Sequence, residues 1–105
     1  MKKQVIETPE AKEFAQGMKE TSRKKYAACL DILERDGRLE YPLAEKVDGA
    51  KGLFAIRIMT AGNERMFYCY EEEDVVIVLC GYEKKTPRIP KQELQKTLKI
   101  KRRYA

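Results

Sequence analysis

The side chains of this sequence that could do chemistry are its cations. The 105-residue chain has no histidine, and its three cysteines, Cys29, Cys69 and Cys80, make no Cys-x-x-Cys pair. No metal-ligand set and no imidazole for proton transfer is therefore expected, and the cysteines read as small buried hydrophobes. Lysine and arginine number 22 against 17 aspartates and glutamates, a formal charge of +5. That excess is unevenly placed. From Lys84 onward nine cations, Lys84, Lys85, Arg88, Lys91, Lys96, Lys99, Lys101, Arg102 and Arg103, stand against one acid, Glu93, a local charge of +8, while the preceding 83 residues carry −3. A positive field gathered at one end suits a polyanion, nucleic acid above all; the other reading is a solvated tail that aids solubility.

The elements that must position these cations follow from length and pattern. With 43% apolar residues, the chain is expected to form one domain over residues 1–105 with one modest core. No apolar run approaches the roughly 20 residues that span a bilayer, and Met1-Lys2-Lys3-Gln4 leads into no signal-peptide core, so a cytoplasmic protein without membrane contact is expected.

Lys3 to Glu7 reads as a first strand. Thr8-Pro9 then gives an N-cap with proline at the first helical position, and Ala11, Phe14, Ala15 and Met18 form an apolar stripe. Thr21-Ser22 offers a second cap before the stripe Tyr26, Cys29, Leu30 and Leu33, which stops at Gly37. Residues 38 to 52, with Pro42, Gly49 and Gly52, read as a connecting loop. From Leu53 to Met59 the residues alternate, placing Arg57 opposite in facing to Phe54, Ile56 and Ile58. A turn at Thr60–Glu64 leads to an aromatic strand, Arg65 to Tyr70, in which Phe67, Tyr68 and Tyr70 read as core. Glu71–Asp74 supplies the next turn. The unbroken apolar run Val75–Cys80 reads as a strand covered on both faces. Pro90 is expected to open a last helix anchored by Leu94 and Leu98. The layout is α+β: a helical hairpin and a C-terminal helix on a mainly antiparallel sheet of about four strands.

Three segments carry a family resemblance: Gly52-Leu53-Phe54-Ala55-Ile56-Arg57-Ile58, then Glu64-Arg65-Met66-Phe67-Tyr68, then Val76-Ile77-Val78-Leu79-Cys80-Gly81-Tyr82-Glu83-Lys84-Lys85-Thr86-Pro87-Arg88-Ile89-Pro90. In order and spacing they resemble the phage-derived HigB-like toxins of the RelE/ParE superfamily, and the likeness extends to Val5–Pro9 and the helical hairpin. It departs from the family pattern at Ala55, where glutamate is common, at Glu64, where tyrosine is, at Cys80, where histidine is frequent, and at Arg88-Ile89, where Lys-Thr is. The resemblance implies a RelE-like fold and the toxin of a toxin–antitoxin pair, a ribosome-dependent messenger RNA endonuclease. Without histidine here, an acid–base mechanism built on that residue is not expected.

Cutting RNA requires that a 2′-hydroxyl lose its proton as it attacks phosphorus, that the charge gained there be stabilised, and that the leaving 5′-oxygen be neutralised. Lysine crowded by other cations can handle protons, and arginine can hold phosphate through two parallel hydrogen bonds. The resemblance assigns Arg57 and Arg65 to phosphate and transition-state charge, and Lys84 or Lys85 to proton transfer or the leaving group, unless these lysines hold only backbone. Arg88, Lys91, Arg102, Arg103 and Tyr104 are expected to contact RNA, without metal or cofactor. If the middle strands form a hairpin about Gly62, paired numbers sum to about 124, placing Arg57 opposite Phe67 and Met59 opposite Arg65, with both arginines on one face.

The implied partners are a small helix-turn-helix antitoxin, the ribosome and messenger RNA. Two other readings stay open: a ParE-like gyrase inhibitor, and a catalytically inactive nucleic-acid-binding module.

Overall fold

A computed structural model describes residues 2–60 and 62–104; Met1, Ala105 and Ala61, the last inside the expected Thr60–Glu64 turn, lie outside the described residues. In chain order the elements are β1 (Gln4–Glu7), α1 (Pro9–Gln16), α2 (Glu20–Asp36), β2 (Ala44–Lys46), β3 (Phe54–Ile58), β4 (Glu64–Glu71), β5 (Val75–Glu83) and α3 (Lys91–Arg102). The strands form one five-stranded sheet in the order β1-β5-β4-β3-β2. β1 runs parallel to β5 and every other pairing is antiparallel.

The fold is the expected α+β layout, with one strand more than the pattern announced. β2 lies in the stretch read as a loop: three residues, Ala44, Glu45 and Lys46, pair with Ile56, Ala55 and Phe54. Three residues are too few to display alternation, so β2 owes its existence to the edge that β3 offers.

Local signals set most helix ends. The Thr8 hydroxyl accepts from the Ala11 N–H at 3.0 Å, capping α1, and donates to the Leu79 carbonyl at 2.5 Å, so one buried side chain fixes both the helix start and its seat on β5. α2 ends where Gly37 takes the left-handed conformation (φ 82°) and donates to Leu33 O at 2.9 Å. Its start differs from expectation. The helix begins at Glu20, and Ser22, fully buried, bonds Thr60 Oγ1 at 3.1 Å and Glu64 Oε1 at 3.4 Å instead of capping.

β5 is covered on both faces, as its apolar run implied. One layer joins α1 and α2 to Ile56, Ile58, Met66, Tyr68, Val76 and Val78. The other joins α3, through Leu94, Leu98 and Ile100, to Ala55, Phe67, Cys69, Ile77, Leu79 and Tyr82. All three cysteines are buried and unpaired. Burying a large apolar side chain contributes about 1.5–3 kcal/mol, so these layers, rather than helix propensity, hold the sheet to its helices. Among the described residues no helix is long and apolar enough to cross a membrane.

A bulge changes which residues of β5 face which layer. Phe67 pairs with Cys80 and Tyr68 with Val78, leaving Leu79 as the extra residue. Beyond it the alternation is reversed. Gly81 now meets Met66 on the α1 side, and Tyr82 meets Arg65 on the α3 side. Thr8 uses the carbonyl of the extra residue.

Candidate nucleic-acid interface

Arg57 and Arg65 are direct cross-strand partners, with Ile58 opposite Glu64. The hairpin register is thus displaced by two residues from the expected one: Arg57 faces Arg65, not Phe67. Pairing begins at Glu64, whose carboxylate is taken up by Ser22 in the α2 layer, one residue before the expected strand start. Because strand facing has a period of two, this displacement leaves both arginines on the same face, as expected. That face is the one α3 covers in part, shared with Ala55 and Phe67.

Like charges directly opposite each other are unfavourable, and the fold answers with a carboxylate from β2, within the stretch expected to be a loop. Glu45 on β2 places Oε2 3.9 Å from Arg57 Nε and Oε1 3.7 Å from Arg65 Nε. The two cations share one counter-charge, so the cluster keeps a net positive charge. Arg65 is the more enclosed, its side chain 5% exposed against 16% for Arg57. Its Nη1 donates to Asn63 Oδ1 at 2.6 Å and to Glu64 O at 3.3 Å. Arg57 Nη1 donates to Pro42 O at 3.1 Å, and its guanidinium lies 5.0 Å from the centre of the Tyr41 ring. Both Nε atoms are buried without a hydrogen-bond partner among the described residues. Two guanidiniums with donors in reserve are equipped to meet an oxyanion.

Tyr82 completes the row, opposite Arg65 on β5. Its ring stacks on Phe67, centroids 5.5 Å apart, and its hydroxyl is buried with no hydrogen-bond partner among the described residues. Burial pushes the phenol above its ordinary range, with the Arg65 cation opposing. It therefore stays protonated through neutral pH and can serve as a donor, not as a base.

The remaining sequence candidates fall into two groups. Lys84 follows β5 directly, and its N–H donates to Asn63 O at 2.8 Å, so the chain carrying it is held beside the residue that braces Arg65. Lys85 is exposed and lies 4.0 Å from Glu83. Arg88 and Lys91 are exposed, on the loop before α3 and at its start. Arg103 is drawn elsewhere: Nη2 meets Glu10 Oε2 of α1 at 2.6 Å, on the β1–β5 side of the sheet, whereas Glu45 lies on the opposite edge strand. Arg102 is exposed beside it, and Tyr104 is half-buried against the α3-side layer. The structure gathers Arg57 and Arg65 and sets Lys84 beside Asn63; it ties Arg103 to α1.

A hollow of about 600 Å³ is lined by Glu10, Glu13, Glu64 and Glu83 with Lys19 and Lys96. Its four carboxylates against two cations repel phosphate, so size does not mark the site. Glu45, Asn63 and Tyr41 were not singled out from sequence. Their roles depend on contacts with residues 12 to 20 positions away or braces within a turn, which no local pattern announces.

The model of one family, phage derived protein Gp49-like, matches residues 13–104. The chain belongs to the phage-derived Gp49-like family. A search of curated proteins finds no match. Among solved structures, this Gp49-like chain is similar to the toxin RelE of E. coli, an arginine-to-alanine double mutant in the free state, with TM-score 0.71 and 17% identity over 94% of this chain and 97% of that one. It is also similar to a chain of the intact E. coli RelBE toxin-antitoxin complex (TM-score 0.64, 18% identity, 80% of this chain and 99% of that one). A third likeness is to the YoeB dimer from Staphylococcus aureus (TM-score 0.61, 22% identity, 80% and 100%). At these identities the likeness establishes the fold, which is RelE-like.

Proposed function

We propose that this Gp49-like chain is the toxin of a toxin–antitoxin pair and acts in the cytoplasm as a ribosome-dependent messenger RNA endonuclease without a metal. The observation that carries the reading is the Arg57–Arg65 cross-strand pair, two cations sharing the single carboxylate of Glu45. The RelE-like fold supports it, as does the solution of such folds as toxins with antitoxins.

In this reading Arg57 and Arg65 hold the scissile phosphate and meet the charge that grows on it. The 2′-oxygen bonds to phosphorus as its proton passes to Lys84 or Lys85, the bond to the 5′-oxygen breaks, and that oxygen takes up a proton. The products are a 2′,3′-cyclic phosphate and a 5′-hydroxyl. Arg88, Lys91, Arg102 and Tyr104 contact the RNA strand, and Arg103 joins them once it leaves Glu10. A small helix-turn-helix antitoxin neutralises the cationic end of the chain by charge complementarity.

The enclosure of Arg65 favours one second reading, a catalytically silent nucleic-acid-binding module in which the arginine pair is structural. Primer extension on translated messenger RNA decides between them. New 5′ ends after induction of the wild-type chain, reduced about 100-fold in Arg57→Ala, support the nuclease. Unbroken messenger with RNA binding retained supports the silent module. Gyrase-dependent DNA breaks in their place would reassign the chain to gyrase inhibition.

A further inference from the structure

Tyr41 is the most exposed large hydrophobic residue among the described ones, at 72%, although a tyrosine in a purely structural role would be expected to bury its ring. It is not left to wander. One face of the ring lies over the Arg57 guanidinium, 5.0 Å from ring centre to Cζ, and the next residue, Pro42, accepts from Arg57 Nη1 at 3.1 Å. The cation that braces the ring is itself pinned beside Glu45 and the β3–β4 pair. The ring is otherwise largely exposed. Beside it, at the β2 edge, lies a small hollow of about 300 Å³ lined by Tyr41, Leu39, Glu45, Lys46, Phe54 and Tyr68; Leu39, Phe54 and Tyr68 pack in the α1–α2 layer, so the hollow and the arginine pair lie on either side of that edge. That volume sits at the lower end for small-molecule sites and suits one planar heterocycle.

We propose that Tyr41 is a stacking platform for one nucleobase of a single-stranded nucleic acid, positioned by Arg57 so that the strand turns about the β2 edge, its base on the ring and an adjoining phosphate at the arginine pair. The inference rests on the nucleic-acid reading of that pair and adds the subsite that orients the nucleotide. An aromatic ring offers a stacking surface to any base, and a guanidinium behind it holds the platform in place. Lys46, at the end of β2, also lines the hollow and supplies a cation for a neighbouring phosphate. Tyr41 positions substrate; it takes no part in proton transfer.

The test measures cleavage by the purified chain of ribosomes programmed with one messenger, as a function of programmed-ribosome concentration, for wild type, Tyr41→Ala and Tyr41→Phe. Thermal melts followed by circular dichroism check folding, which an exposed ring should leave unchanged. The expected result is a half-saturating concentration raised about 5- to 100-fold in Tyr41→Ala and restored in Tyr41→Phe, which keeps the ring. If Tyr41→Ala matches wild type in half-saturation while cleavage persists, the platform is overturned and the nuclease reading stands. If the limiting rate falls instead and half-saturation is unaltered, the ring serves only to hold Arg57, and the platform is again overturned. A wild-type chain that cuts nothing overturns the nuclease reading and the platform with it.

Discussion

Glu45 in β2 and Arg65 in β4 do not occupy neighbouring strands, yet their charged groups come within 3.7 Å of each other across β3. On β3 the direct partner of Glu45 is Ala55, a small side chain on the same face as the arginine pair.

Removing the shared carboxylate should therefore cost stability. Glu45→Ala leaves two guanidiniums facing each other without a counter-charge, one of them 5% exposed. With Glu45 itself about one-third exposed, a loss of about 1–2 kcal/mol is expected in urea unfolding. The double variant Glu45→Ala/Arg57→Ala should be more stable than the sum of the two single losses implies, because the Glu45–Arg57 attraction is lost in each single variant and is counted twice in that sum.

Mutating the arginine pair should separate binding from chemistry. Arg57→Lys keeps the charge and loses the planar fork, so cleavage should fall about 10-fold or more while the salt dependence of binding is retained. Single-turnover cleavage and titrations at several salt concentrations check this.

Alkaline pH should unfold the chain earlier than an exposed-tyrosine protein. Burial pushes the Tyr26 and Tyr68 phenols well above their ordinary range; Tyr26 also donates to Glu7 Oε2 at 2.8 Å. Below about pH 10 both phenols are protonated in the folded and unfolded chain alike, and their contribution is fully present. Above it the unfolded chain sheds protons that the folded chain retains, so stability falls as pH rises, by up to about 1.4 kcal/mol per pH unit for each tyrosine. Tyr68→Phe should flatten that fall in denaturant titrations between pH 9 and 11.

At Gly81 β5 is packed tightly against the Phe14 ring of α1. A Cβ there would collide with Met66 Sδ and the Phe14 ring. Gly81→Ala should cost about 1–3 kcal/mol in thermal or urea unfolding, through overpacking rather than backbone strain.

How much of this was legible depended on the range over which each signal acts. The helices carried their stripes and stops, Thr8-Pro9 and Gly37, within a few residues, and the runs of β3, β4 and β5 carried alternation or sustained apolarity. Facing is a two-state property, so the shared face of Arg57 and Arg65 was readable even though the register was off by two residues. β2 was not readable, because three residues between Pro42 and Gly49 show no period. Nor was Glu45, whose partners come from two other strands. The Thr21-Ser22 cap looked genuine in sequence, but Ser22 found Thr60 and Glu64 in a distant turn. The bulge at Leu79 was hidden for another reason: in a run where every residue is apolar, a change of side leaves no trace.

That single additional residue acts as a phase slip in a two-beat rhythm. Deleting Leu79 would let Val78 and Cys80 follow one another in a regular ladder opposite Tyr68 and Phe67, with Gly81 still toward the α1 seam and Tyr82 still beside Arg65; what would go is the extra carbonyl that seats Thr8. The extra residue is consequently specified by the helix it holds: removing its codon spares the neighbour of Arg65 and withdraws the carbonyl on which the start of α1 sits.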